Sequence, residues 1–147
     1  QCRCSFTQLS EQYCSVASRG QASLRTSTGP RAITVHRLGH LGERIPYDMG
    51  RIDGILRHAP ADYACAHPPS WYMRRNVHVT TSGHFNDAPL RCAIAELGIQ
   101  RVMFSVDYPF EATEDAAGWF DRTPALTDDE RRRIGRANAA ALFRLGG

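Results

Sequence analysis

Val102-Met103-Phe104-Ser105-Val106-Asp107 is the stretch on which the fold turns. Its apolar side chains fall on both faces of an extended chain, the pattern of a parallel strand covered by helices on two sides. Just before it, Leu90, Ile94 and Leu97 recur at helical spacing. Asp87 is placed as the N-cap of that helix, Pro89 sits just inside it, and Gly98 stops it. Val77 to Thr81 is a further strand, closed by Ser82-Gly83. Earlier still, Met49, Ile52, Ile55 and Leu56 mark a helix running through Arg57, and the β-branched run from Ala32 to Leu38 is a buried strand ending at Gly39. On the other side, Thr127-x-x-Glu130 is a capping box, opening a helix whose Ile134, Ala137, Ala141 and Leu145 are expected to share one face. The predicted order is β-α-β-α-β-α-α, an α/β chain with right-handed crossovers between parallel strands.

Composition bounds what such a chain can be. It has 147 residues, 18 basic residues that are all arginine, 15 acids and a net charge of +3. That balance excludes a polycation that coats nucleic acid, and the length admits one ordinary domain. Leu, Ile, Val and Phe make up about a fifth of the residues, enough for a modest core. No run approaches the length of about 18 apolar residues that a membrane span needs, so no membrane partner is expected.

Residues 1–30 differ in texture. They are rich in Ser, Thr and Gln, hold a single acid, Glu11, and lack apolar periodicity, so they are expected to be an unstructured leader outside the fold, which then occupies 31–147. The five cysteines, Cys2, Cys4, Cys14, Cys65 and Cys92, are odd in number and unevenly spaced. They form neither a disulfide framework nor the paired ligands of a structural zinc site, and are expected to be incidental thiols.

In α/β folds, ligands bind beyond the C-terminal ends of the strands. The polar residues in those places are His40, His84 and Asp107. A lone histidine of this kind is usually a hydrogen-bonded loop residue; three ionisable side chains at three successive strand ends define a candidate site. His58, His67 and His78 fall elsewhere and carry no expected role. Trp71-Tyr72 and Arg74-Arg75 are expected in a loop after Pro68-Pro69, as rim or interface residues rather than a nucleic-acid surface. Asp128 and Asp129 precede Arg132 and Arg133 at i,i+4 spacing, which predicts a solvated, ion-paired helix face.

Four segments carry a resemblance: Gly39-His40-Leu41-Gly42-Glu43, Arg51-Ile52-Asp53, Thr80-Thr81-Ser82-Gly83, and Ser105-Val106-Asp107-Tyr108-Pro109-Phe110-Glu111, with Gly135-x-x-Asn138-Ala139 following in order. From about Pro30 onward the chain resembles the amidohydrolase-related (amidohydrolase family 2) metal enzymes. Within them it is most similar to the non-oxidative aromatic acid decarboxylases typified by γ-resorcylate (2,6-dihydroxybenzoate) decarboxylase. The resemblance implies a partial (β/α)8 barrel, approximately its last three β/α units plus a C-terminal helix. It implies Asp107 as metal ligand and proton donor and His40 as a catalytic residue close to substrate. Glu43 and Arg51 are implied at substrate-side positions, and Phe110 as an aromatic lining the pocket. It also implies a zinc or manganese ion, a small aromatic carboxylic acid as substrate, and a cytoplasmic homo-oligomer as the full-length enzyme.

The implied chemistry suits these residue types. Removing carboxylate from an ortho-hydroxybenzoate needs a Lewis acid on the carboxylate and phenol oxygens and an acid that protonates the ring carbon before the C–C bond breaks. The family's ligands on strand one and at the end of strand five have no counterpart here, and His36, inside a strand, is a wall residue rather than a substitute. The chain is therefore expected to be a C-terminal fragment that is inactive alone. Two other functions stay open: a hydrolase using the same metal rim, and an inactive remnant whose exposed sheet edges serve association. A tightly held metal ion would separate the enzymes from the remnant.

Overall fold

A computed structural model describes residues 35–58 and 67–145, with backbone alone for Val35–Leu38. The expected leader and four of the cysteines, Cys2, Cys4, Cys14 and Cys65, lie outside the described residues. The described chain divides into two compact units, residues 48–76 belonging to one and residues 36–47 with 77–145 to the other.

In the first unit, the helix α1 (Ile45–Leu56) contributes its residues from Asp48 onward, and α2 (Pro69–Asn76) follows. Asp53 joins them: its carboxylate accepts from the Ser70 backbone N–H at 2.9 Å and from the Ser70 hydroxyl at 2.5 Å. Trp71, Tyr72, Arg74 and Arg75, expected in a loop, lie in α2. Pro69 explains the difference, because at the first helical position proline has no N–H to waste and its φ is already helical. His67 stacks on Trp71 with ring centroids 4.0 Å apart, and the Arg75 guanidinium also lies over Trp71, 5.2 Å from the ring centroid.

The second unit is built on a three-stranded sheet in the order β1 (Val35–Leu38), β2 (Val77–Thr80), β3 (Val102–Met103). β2 and β3 are parallel, with Val79 opposite Val102 and Thr80 opposite Met103. Val77, His78 and Val79 are all buried, so β2 is covered on both faces as its neighbour's apolar sequence predicts. The polar one of the three, His78, receives a hydrogen bond at its Nε2 from Arg101 Nη1 at 2.6 Å.

Between the parallel strands runs α3 (Asp87–Leu97), which buries Leu90, Ala93 and Leu97 and leaves the expected Ile94 half-buried. Asn86, not Asp87, is its N-cap, accepting from Ala88 N–H at 3.0 Å. Asp87 is freed for a longer reach: its Oδ1 accepts from Trp119 Nε1 at 3.1 Å and from the Thr123 hydroxyl at 2.5 Å. Those two partners belong to α4 (Thr113–Arg122) and its C-cap, which the sequence patterning left without a range. Gly98 ends α3 as expected, at φ +91 with its N–H on the Ile94 carbonyl.

The closing helix departs most from its prediction. The capping box is present at Thr127 and Glu130, opening α5 (Asp128–Arg132), but a π-turn (Arg133–Ala137) interrupts the helix before α6 (Asn138–Phe143). An i→i+5 turn adds a residue and rotates everything after it. Ile134 is fully buried, but Ala137, Ala141 and Leu145 are exposed, and Asn138 takes the inward position instead. Its Nδ2 donates to the Ile99 carbonyl at 2.8 Å and the Val102 carbonyl at 2.7 Å, pinning the helix to the start of β3. Where i,i+4 ion pairs were expected, Arg132 pairs with Asp129 at i,i+3. Arg131 turns back, donating to the Thr123 carbonyl at 3.0 Å with its guanidinium over the Phe120 ring.

Candidate active site

The parallel ladder ends at Met103, and side chains carry the alignment onward. The buried Thr81 hydroxyl donates to the Ser105 carbonyl at 2.7 Å and accepts from the Ser105 N–H at 3.0 Å, acting as an added rung. Gly83 N–H donates to the Val106 carbonyl at 3.3 Å, and His40 N–H donates to the Ser82 carbonyl at 3.1 Å. Backbone bonds thus lace the three strand ends together at the residues where the side chains of interest emerge.

The result is a contact between residues 67 positions apart: His40 Nε2 lies 3.3 Å from Asp107 Oδ2. On the ring's other side, Nδ1 lies 3.1 Å from Glu43 Oε1. His84 joins the rim, its Nδ1 3.4 Å from the His40 carbonyl oxygen. The expected convergence of His40, His84 and Asp107 is therefore present. The group is open to solvent but not loose, the side chains of His40 and Asp107 being 45% and 33% exposed.

Backbone conformation marks the same place. Among the described residues, the non-glycine residues at positive φ are His40, Leu41, Glu43, Asp107 and Arg144, and four of the five belong to this rim. Positive φ costs a side-chain-bearing residue energy that the surroundings must hold in place, and such residues gather at functional sites. At φ +84, Asp107 is turned so that its carboxylate meets His40, and its carbonyl accepts from Phe110 and Glu111 N–H in the turn that follows.

The other expected site residues are placed differently. Phe110 follows Asp107 on this turn but is 85% exposed, so the described residues give it no pocket to line. Arg51 lies on an exposed face of α1, in the unit that does not hold His40 and Asp107. His36 falls in β1, where only backbone is described. Thr81 and Gly83 were not foreseen as site builders; the only sign of them was the strand-ending Thr80-Thr81-Ser82-Gly83 itself. Cys92 is a free thiol whose pKa is raised by burial and then by Glu96, so it offers little thiolate.

A metal ion can be tested against these side chains. The Asp107 carboxylate, partly exposed and bearing hard oxygen donors, suits one ligand position of a divalent cation. A catalytic centre takes about three protein ligands. Among the described residues, no three His, Cys, Asp or Glu side chains gather to supply them. Asp107 therefore fits such an ion, but the described residues do not complete its shell.

A parallel pair of strands joined through a helix, with ionisable side chains gathered at its C-terminal edge, is what a portion of a (β/α)8 barrel presents. Residues 50–145 match the family model described as amidohydrolase, and the chain belongs to that family. It is 43% identical over 112 residues to a γ-resorcylate decarboxylase of Rhizobium sp., covering 75% of this chain and 34% of that protein. A crystal structure of 2,6-dihydroxybenzoate decarboxylase from Rhizobium superposes with a TM-score of 0.68 at 42% identity, over 75% of this chain and 34% of that one. The dihydroxybenzoic acid decarboxylase of Polaromonas sp., solved with manganese and the inhibitor 2-nitroresorcinol, gives 0.67 at 40% identity, over 74% and 33% of the two chains. The chain thus spans about a third of the length of the curated relatives it matches. Among the described residues, no helix is long and apolar enough to cross a membrane.

Proposed function

We propose that this chain supplies the His40–Asp107 side of the active site of a metal-dependent, non-oxidative decarboxylase acting on hydroxybenzoate-type aromatic acids. The observation that carries the proposal is the 3.3 Å approach of His40 Nε2 to Asp107 Oδ2 at two strand ends. The similarity to γ-resorcylate decarboxylase over three quarters of the chain gives that pair its chemistry.

In this reading Asp107 delivers a proton to the ring carbon that bears the carboxylate, so that the C–C bond breaks from a protonated ring rather than leaving a carbanion. His40 Nε2 then returns a proton to Asp107, and Glu43 at Nδ1 holds the ring in the orientation that permits it. Asp107 would hold a divalent ion in part, and such an ion would supply Lewis acidity toward the bound aromatic acid. The manganese of the solved relatives favours that ion over zinc. Arg51 and Phe110 are assigned to the substrate side, and a cytoplasmic homo-oligomer is the proposed setting; for these the support is the resemblance alone.

The test joins this chain to the remaining segment of the Rhizobium decarboxylase and follows loss of 2,6-dihydroxybenzoate with added manganese. Asp107→Asn keeps the shape but removes the donor and weakens the metal bond, so turnover should fall to background. His40→Asn should lower kcat by about 10²-fold, the usual scale for a lost general acid or base. A completed enzyme indifferent to Asp107→Asn would overturn the assignment.

A further inference from the structure

Gly83 sits against the His40–Asp107 pair without touching it through any side chain. A β-carbon built on Gly83 would stand 2.9 Å from His40 Cδ2, 3.1 Å from His40 Nε2 and 3.1 Å from Asp107 Oδ2. It would therefore crowd both members at the point where they meet. Carbon does not approach carbon at 2.9 Å, so something has to move.

The backbone is poorly placed to yield. Gly83 N–H is bonded to the Val106 carbonyl, the residue before Asp107, and the preceding Ser82 carbonyl accepts from His40 N–H. Sliding Gly83 away would break the bonds that align the three strand ends. The partly exposed His40 ring and Asp107 carboxylate have solvent to swing into, so the pair gives way before the backbone does.

We infer that Gly83 is a positioning residue whose missing side chain keeps His40 Nε2 in contact with Asp107. Its part in catalysis rests on the decarboxylase reading above; the contact itself does not. Glycine is also favoured here because φ is +62. That second reason is separable. Gly98, at φ +91, would place a β-carbon nearest to the flexible Gln100 side chain, so Gly98→Ala carries backbone strain away from the pair. Asparagine tolerates left-handed φ, so Gly83→Asn relieves most of the strain and keeps the crowding.

The experiment labels the histidines of the full chain with 15N and follows the His40 Nε2 resonance, assigned through its loss in His40→Asn. With Gly83 intact, Asp107→Asn should shift that resonance. With Gly83→Ala, and equally with Gly83→Asn, Asp107→Asn should leave it unmoved, while Gly98→Ala should retain the wild-type response. In the completed enzyme, Gly83→Ala should lower kcat about as much as His40→Asn, by about 10²-fold, with KM little changed. A His40 signal that still responds to Asp107 in both Gly83 variants overturns the inference, whatever the activity. Unfolding of both Gly83 variants while Gly98→Ala folds overturns it too, because the requirement would then be structural. If the completed parent enzyme releases no carbon dioxide, the decarboxylase reading fails and the resonance comparison still decides the role of Gly83.

Discussion

At His40 both ring nitrogens face a carboxylate oxygen, Glu43 Oε1 at 3.1 Å and Asp107 Oδ2 at 3.3 Å. A neutral imidazole has one N–H to give, so only the protonated ring donates to both. The two carboxylates are not equivalent. Glu43 is 67% exposed and Asp107 33%, so water screens the Glu43 contact more strongly. An exposed pair of this kind is worth up to about 1 kcal/mol, which corresponds to about a fivefold rate effect. Glu43→Gln, which keeps an acceptor oxygen, should therefore slow decarboxylation by the completed enzyme no more than about fivefold, well short of the His40→Asn loss; steady-state kcat values decide this, and equal losses would make Glu43 a partner in proton transfer. His40, His84 and Asp107 were readable in the sequence because strand ends in an α/β fold share a rim. Gly83 was not, because its significance lies in contacts with His40 and Asp107, whose distances no spacing along the chain encodes.

The closing helix shows where patterning fails at the scale of an element. Its start was readable to the residue, since Thr127 and Glu130 satisfy each other's backbone within four positions. Its buried face was not. The π-turn at Arg133–Ala137 shifts the register, so the inward position goes to a polar Asn138 that apolar periodicity passes over. Asn138→Ala should cost about 1–3 kcal/mol, because a buried carbonyl that loses its donor keeps its desolvation penalty. Chemical denaturation checks this; an unchanged midpoint would mean that the two side-chain bonds do not hold the helix on β3. The helix start has a pH dependence of defined sign. Bonds from the Thr127 backbone N–H and then its hydroxyl hold the Glu130 carboxyl below the usual glutamate value. A lowered pKa means that the charged form is favoured in the folded chain, so the stabilisation is present above the unfolded value and lost as pH falls through the folded one. Glu130→Gln should therefore flatten the loss of α5 stability on acidification below the ordinary glutamate range, measured as melting temperature against pH; parallel curves for the two proteins would refute it.

For the whole molecule, a short sheet carries a rim whose chemistry needs more than the described residues provide. β3 was readable because a buried parallel strand is apolar on both faces, and the family from the wording around His40 and Asp107. The pocket was not, since a barrel's substrate site is enclosed by loops from many strands and this chain spans about a third of its relatives' length. Phe110, 85% exposed, is the visible consequence: an aromatic expected to line a pocket has no opposing wall among the described residues. Ligand counting turns this into a prediction. A catalytic divalent ion needs about three protein ligands and an open position, and the rim brings Asp107, with His40 beside it. The 147-residue chain by itself should therefore bind manganese weakly and release no carbon dioxide from 2,6-dihydroxybenzoate, with either manganese or zinc added. Electron paramagnetic resonance of free manganese and trapping of labelled carbon dioxide measure the two halves separately. Weak binding with no turnover agrees with a rim that must be completed from elsewhere. Stoichiometric manganese binding with turnover abolished by Asp107→Asn would instead mean that residues outside the described set close the metal shell within this chain.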